Sequence, residues 1–339
     1  MITGKLPNDL LEEKVFKYIK HTRDDILTGA SVGEDNALVD FGEEVAVLST
    51  DPITGAAGDI GRLALEISVN DISTSGGEAI GVLMTILAPK GTSYEDIEQI
   101  MKDAGETAER LNVEIMGGHT EITDAVNKVV VSTTVIGKVK KKDILKIHEI
   151  KNGDKVMVTK SIGIEGTSIL LNDYESFFKD KMDSKMIEEG KGYGEKISVK
   201  EEGRLGGLLH VNYMHDITEG GILGAVWEAH KAIKMGIQIY EKSIPITDTT
   251  KTMCSILGIN PMRLISSGSM LVIGDERIIK EMIEKLEAMD ISASIIGEVT
   301  DKGVYIERGE RLEEIEPPQA DELYSAIAKL KKEIDIDGR

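Results

Sequence analysis

The chain has 339 residues, 41% of them hydrophobic and 4% aromatic, and its 60 acidic and 40 basic residues give a net charge of −20. That balance repels nucleic-acid backbones and anionic membranes and leaves few rings for base stacking, so neither nucleic acid nor membrane is an expected partner. One cysteine, Cys254, excludes an intramolecular disulfide or a cysteine metal cluster; with no leader-like amino terminus and no apolar run of about 18 residues, the expected location is the cytoplasm.

In chain order, Asn8 or Asp9 caps a first helical pattern through Leu10, Leu11, Val15, Tyr18 and Ile19. The polar loop Gly33-Glu34-Asp35-Asn36 then turns into a short apolar strand, and a second strand over 45–50 leads into Asp51. After Gly58-Asp59, Ile60, Leu63, Ala64 and Ile67 fall at i, i+3, i+4 and i+7, with Leu65 and Val69 broadening the stripe of an amphipathic helix that runs out near Asp71. A carboxylate there opposes the helix dipole, and a bound cation would relieve it. A buried strand over 79–88, a Ser-capped helix over 93–111 and a strand over 113–116 follow, the last ending in the turn Gly117-Gly118-His119-Thr120-Glu121. A long β-branched strand spans 128–139, and the polar turn Lys151-Asn152-Gly153-Asp154 marks a boundary near residue 150, dividing the chain into domains 1–150 and 151–339.

The second half opens with a strand over 155–159 and a glycine-interrupted helix start at Gly163-Ile164-Glu165-Gly166. Residues 174–194 are polar and contain Gly190-Lys191-Gly192-Tyr193-Gly194, which predicts an exposed or mobile excursion. A helical pattern over 197–209 precedes Met214-His215-Asp216-Ile217-Thr218-Glu219-Gly220-Gly221, a strand end, an acid and a double glycine before a helix over 223–235. Strands over 236–240, 270–273, 293–299 and 303–307, with helices over 275–289 and at the carboxyl terminus, complete an α/β (α+β) pattern.

Several aspartates on separate strand ends beside glycines suit Mg2+, a hard ion that takes carboxylate oxygens and bridges to phosphates. Glycine-rich turns at helix starts supply backbone amides for phosphate oxygens. Together they describe a magnesium-nucleotide site. The sequence has no G-x-x-x-x-G-K-[ST] loop, and its glycine-rich excursion lacks the strand-turn-helix setting of a dinucleotide fingerprint.

Five motifs in order, Gly33-Glu34-Asp35-Asn36-Ala37, Ser49-Thr50-Asp51, Val69-Asn70-Asp71-Ile72, Gly117-Gly118-His119-Thr120 and Asp216-Ile217-Thr218-Glu219-Gly220-Gly221, resemble the aminoimidazole ribonucleotide (AIR) synthase superfamily. That superfamily includes thiamine-monophosphate kinase, selenophosphate synthetase and the hydrogenase-maturation protein HypE. Gly258-Ile259-Asn260-Pro261-Met262-Arg263-Leu264, followed by Gly268, is similar to a segment of the HypE branch. The resemblance implies a two-domain PurM-like fold, a homodimer formed through strands of the first domain, and an enzyme using ATP and Mg2+ to phosphorylate an oxygen of a small-molecule or protein-borne substrate. Carried over, Asp35, Asp51, Asp71 and Asp216 match metal positions. Asp51, Asp71, Gly117, Gly118, Thr120, Gly220 and Gly221 match the nucleotide side.

This chain also departs from the HypE pattern. It ends Glu333-Ile334-Asp335-Ile336-Asp337-Gly338-Arg339, where HypE carries a cysteine tail; Ser267 and Glu121 replace an expected acid and lysine. His119 takes the place of an acid in its turn: a phosphate contact, an acid-base group near neutral pH, or a hydrogen bond within the turn. With Asp216 it is a candidate catalytic residue. Two readings follow: an ATP-dependent phosphoryl-transfer enzyme acting on a small-molecule or carbamoyl-type oxygen, or a non-catalytic ATP-binding or scaffolding paralogue. Lys5 is a candidate for closing over phosphates and Lys191 for a substrate contact, with a solvated terminal lysine and an exposed loop lysine as the plainer readings, and Cys254 reads as a core thiol.

Overall fold

The computed structural model describes residue 6, residues 8–54 and residues 59–337. Lys5 and Gly58 lie outside the described residues. The first half is built on a six-stranded sheet of β1 (Ile26–Thr28), β2 (Ala37–Asp40), β3 (Glu44–Ile53), β4 (Glu78–Pro89), β5 (Glu114–Thr123) and β6 (Val130–Lys140), in the order β1-β2-β3-β6-β4-β5. Strict alternation places Val45 and Val47 of β3, Val131 and Val135 of β6, and Val82, Met84 and Ile86 of β4 in one core cluster. After a short α1 (Asn8–Leu10), α2 (Ile60–Thr74) and α3 (Tyr94–Leu111) cover that face through Ala64, Leu65, Val69 and Ile72, and through Ile100, Ala104 and Leu111. The α3 start is the capping box read from the sequence, with Ser93 and Asp96 exchanging side-chain-to-backbone hydrogen bonds. On the sheet's other face Leu83 is 44% exposed and Met116 45%.

The second half holds a seven-stranded sheet, β13-β12-β9-β11-β7-β10-β8, made of β7 (Lys155–Thr159), β8 (Tyr213–Asp216), β9 (Gly236–Tyr240), β10 (Met270–Gly274), β11 (Ala293–Thr300), β12 (Val304–Arg308) and β13 (Arg311–Glu314). Its inner strands β7 and β10 are apolar on both faces because both are covered. Val156, Val158, Leu271 and Ile273 join one core cluster with Ile222, Val226 and Ala229 of α8 (Gly221–Ile233). Met157, Met270 and Val272 turn the other way, towards Leu205 of α7 (Lys200–Leu209) and Ile279, Met282 and Leu286 of α10 (Glu276–Glu287).

A third cluster corrects the excursion expected over 174–194. That stretch follows α4 (Ile164–Asp173) and folds as α5 (Glu175–Phe178), α6 (Ser184–Lys191) and a 3-10 turn over Gly192–Lys196. Phe178 is fully buried, and Ile187 and Tyr193 nearly so. Phe178 and Ile187 pack among residues of α4, α9 (Asp248–Leu257) and α11 (Glu322–Asp337). Burying one such aromatic contributes about 1.5–3 kcal/mol, which outweighs the polar average of the segment. Lys191 is an ion-pair partner of Glu175 (3.0 Å) and Glu188 (3.2 Å). Cys254 sits in the same cluster, where burial pushes its thiol up to about 12, the core role expected of it.

The two halves meet along α2. Asn70 donates to the Ile197 carbonyl at 2.7 Å and accepts from the Val199 N–H at 2.9 Å, both buried. One turn on, α7 crosses so closely that a Cβ on Gly203 would lie 2.3 Å from the Ser73 carbonyl oxygen. This contact sets the position of Asp71 relative to β8.

Candidate functional site

Asp71 stands three residues before the end of α2, 6% exposed, and accepts a hydrogen bond from the Ser49 hydroxyl on β3. Burial raises its carboxyl well above the usual range, and the negative charges of Asp216, Asp51 and Asp35 push the same way, with a side-chain hydrogen bond from the protonated Asp71 to Asp51 adding to them. The four metal-side acids taken from the sequence are therefore neighbours. They arrive on four supports: the loop before β2, strand β3, helix α2, and the carboxyl end of β8, where Asp216 is 2% exposed. Three of the supports belong to the first half and one to the second.

The loop carrying Asp35 is held from both sides. Asn36 donates to the Asp71 carbonyl (2.8 Å) and to the Thr74 hydroxyl (2.9 Å), and the Tyr213 hydroxyl donates to the Gly33 carbonyl at 3.1 Å. Gly33 is required there: it has φ +84, and a Cβ would lie 2.7 Å from the Glu228 carbonyl oxygen. His215, buried at 5% exposure, places Nδ1 2.8 Å from the Asp35 carboxylate and Nε2 3.2 Å from Glu228 Oε2. A carboxylate only accepts, so a histidine between two of them donates from both ring nitrogens and is an imidazolium. Burial alone would lower its pKa; Asp35 and Glu228 overcome that and raise it well above the usual value. Asp35, His215 and Asp216 each bring one ligand atom within 4.8 Å of the others, but a doubly donating imidazolium has no lone pair for a metal. That leaves the carboxylate oxygens of the four aspartates as the candidate cation ligands.

His215 and Glu228 were not selected from the sequence. His215 stands beside Asp216 in a motif already quoted, whereas Glu228 is one acid on an α8 face with no spacing signal of its own. Beside the cluster, burial and the adjacent Asp35 raise Glu34 to about 7.

The glycine turns behave differently from the acids. Residues 117–120 do not follow a strand; they lie inside β5, paired in parallel with β4, and a Cβ on Gly118 would lie 1.8 Å from the Met84 carbonyl oxygen. The turn expected there is corrected to an edge strand. Gly118 pairs with Met84, Met84 with Thr133 and Thr133 with Asp51, three ladder steps or about 14 Å at roughly 4.8 Å per strand. Gly117, Gly118, His119 and Thr120 are exposed and away from the acid cluster of their own chain, and His119 Nε2 lies 3.3 Å from Glu121. Gly220 and Gly221 stand at the start of α8, as expected, yet their N–H groups are already used. Gly220 donates to Asp321 at 2.7 Å and Gly221 to the Thr218 carbonyl at 3.1 Å. Both have positive φ, and a Cβ on Gly221 would lie 2.6 Å from the Met262 carbonyl oxygen, so backbone packing accounts for them. Ser267 donates its N–H to Glu165 at 3.1 Å.

Burial also raises Glu165 to about 7 and Asp321 to about 6. With Glu34 and Asp71, these carboxyls prefer the neutral form in the fold. Each contributes stability that is complete below its unfolded pKa and is lost as pH rises through its folded value. His215, raised from 6.5, loses its contribution in the same direction. Without divalent cations, the melting temperature is expected to fall between about pH 5 and pH 7.5, and Glu165→Gln is expected to flatten the slope. Circular-dichroism melts across that range check this; a flat or rising profile would contradict it.

A family model for the N-terminal domain of AIR synthase-related proteins matches residues 33–139, and one for the C-terminal domain matches residues 151–309. A Methanocaldococcus jannaschii protein named for hydrogenase expression/formation is 30% identical over 319 residues, covering 90% of this chain and 91% of that protein. The chain belongs to the AIR synthase-related family. In a crystal structure of a HypE–HypF complex, the matching chain superposes with a TM-score of 0.76 at 26% identity, over 91% of this chain and 99% of that one. HypE in complex with ATP superposes with a TM-score of 0.70 at 19% identity, over 95% and 97%. This AIR synthase-related chain thus has the two-domain PurM-like α/β fold and the HypE likeness expected from its motifs. Among the described residues, no helix is long and apolar enough to cross a membrane.

Proposed function

We propose that this chain binds ATP with Mg2+ at Asp35, Asp51, Asp71 and Asp216 and transfers the γ-phosphoryl group to an oxygen of a small-molecule or carbamoyl-type substrate, releasing ADP. The observation that carries the reading is the convergence of these acids, from both halves, around a buried Asp71 whose carboxyl their charges raise. Hard carboxylate oxygens on rigid supports fit Mg2+. The HypE structure with bound ATP supports the nucleotide. When bound, Mg2+ neutralises phosphate charge. The chain's own residues supply position: α2 and β3 fix Asp71 and Asp51, and the Asn70 contact brings Asp216 opposite them. Cation binding favours loss of the Asp71 proton, because a ligating carboxyl must be ionised. In the transfer, the substrate oxygen bonds to the γ-phosphorus as the bond to the bridging oxygen breaks, and ADP leaves with that electron pair.

The same proposal divides the chain at residue 150, since the two sheets fall on either side of it, and places the protein in the cytoplasm as a homodimer. Leu83 and Met116, exposed on the uncovered face of the first sheet, support self-association there. The pairing of HypE with HypF supports a protein partner or a protein-borne substrate. The Ser267 substitution favours a second reading, a non-catalytic ATP-binding or scaffolding paralogue.

Mg2+ with ATP is expected to raise the melting temperature, by about 2.7 kcal/mol of stabilisation at 100 times the dissociation constant, while ATP with EDTA gives little. No cation-dependent shift would contradict the site. A shift without ADP release across a panel of amides, carbamoyl compounds and metabolites would select the scaffold reading.

A further inference from the structure

We propose that His215 is a positioning residue, buttressed by Glu228, that holds the Asp35 carboxylate in place for the cation and ties the loop of the first half to the sheet of the second. This rests on the Mg2+-ATP reading. The Asp35 backbone is restrained by its neighbours, Gly33 against Tyr213 and α8, and Asn36 against the end of α2. Those contacts place the loop. The carboxylate of Asp35 is oriented by His215 Nδ1 at 2.8 Å. The ring is itself fixed: Nε2 is 3.2 Å from Glu228 Oε2, and the Tyr213 ring stacks on it with centroids 6.2 Å apart. Glu228 is steadied in turn, its Oε1 accepting from the Asn8 side chain at 3.2 Å. The series Asn8, Glu228, His215, Asp35 thus runs from the amino-terminal segment through α8 and β8 back to the first half. Because both ring nitrogens donate, His215 acts on the cation through Asp35 and not as a ligand.

The test is a Mg2+ titration of the full chain at fixed ATP, read by thermal shift, beside an ATP titration at saturating Mg2+. His215→Gln is expected to raise the half-saturating Mg2+ concentration roughly 10- to 100-fold, the usual effect of losing an outer partner of a metal ligand, while half-saturating ATP stays within about twofold. A residue that merely supported the fold would lower the melting temperature and leave the Mg2+ midpoint in place. Glu228→Gln keeps an oxygen that accepts from Nε2 and is expected to stay near wild type; Glu228→Ala is expected to follow His215→Gln. That pair carries the test if His215→Gln does not fold. A wild-type Mg2+ midpoint in His215→Gln, or equal midpoints in the two Glu228 variants, would overturn the proposal while loss of the response in Asp35→Asn left the site standing. A wild-type response in both Asp35→Asn and Asp216→Asn would overturn the Mg2+-ATP reading and the positioning role with it.

Discussion

Asp71→Asn is expected to make the cation-free protein more stable and to remove most of its response to Mg2+ with ATP. The two effects have one cause. Asp71 is buried, and burial, Asp216, Asp51 and Asp35 all disfavour its charged form. An amide of the same shape keeps an oxygen for the Ser49 hydroxyl and carries no charge to desolvate. The expected gain is roughly 1–2 kcal/mol near neutral pH, growing as pH rises because the native carboxyl is increasingly forced to ionise. The same change removes an anionic oxygen from the cation site, so most of the stabilisation from Mg2+ with ATP disappears. A site that gains stability when its function is deleted is the expected signature of charges held together for a ligand. Melts of wild type and variant with EDTA and with Mg2+-ATP decide it; a variant less stable than wild type under EDTA that still responds fully would contradict the assignment.

Asn70→Ala is expected to cost about 3–5 kcal/mol, the largest effect among the stability changes considered. The side chain satisfies the buried Ile197 carbonyl and the buried Val199 N–H together. Its removal orphans both, at about 1–3 kcal/mol each, and leaves a void between the halves. Asn70→Asp is no rescue: a carboxylate still accepts from Val199 but has no donor for Ile197 and buries a charge. Because Asn70 adjoins Asp71 in α2, the variant is also expected to weaken Mg2+-ATP binding. Urea denaturation read by circular dichroism measures the loss; a cost under about 1 kcal/mol would mean that the halves are joined elsewhere.

The acids were legible because strand ends and a helix end are local signals. Asp51 closes a run of alternating apolar residues and Asp71 follows a helical stripe, so each could be placed on its support before any tertiary contact was known. The stripe itself was only partly right. Leu65 and Val69, read as broadening it, are fully buried together with Ile72, whereas Leu63 and Ile67 are half-buried, because α2 packs against both the first sheet and α7 and so buries more than one face. The glycines misled for a related reason. A glycine that lets an anion approach and a glycine that lets another backbone approach look alike in sequence; Gly118 against Met84 and Gly221 against Met262 are of the second kind. Residues 174–194 read as an excursion because their apolar residues are sparse, yet Phe178, Met182 and Ile187 all turn to one core. The His215–Glu228 pair was illegible because its partners lie 180 residues away in Asp35 and 220 in Asn8. Only the fold brings them together.

The most direct test of the central claim is the position of the cation. Crystals grown with Mn2+ and a non-hydrolysable ATP analogue locate it by anomalous scattering. The peak is expected among the carboxylates of Asp35, Asp51, Asp71 and Asp216, next to the analogue's phosphates, with His215 still on Asp35. A peak held by other acids, such as Glu165 and Asp321, or a nucleotide bound with none of the four aspartates near its metal, would contradict it.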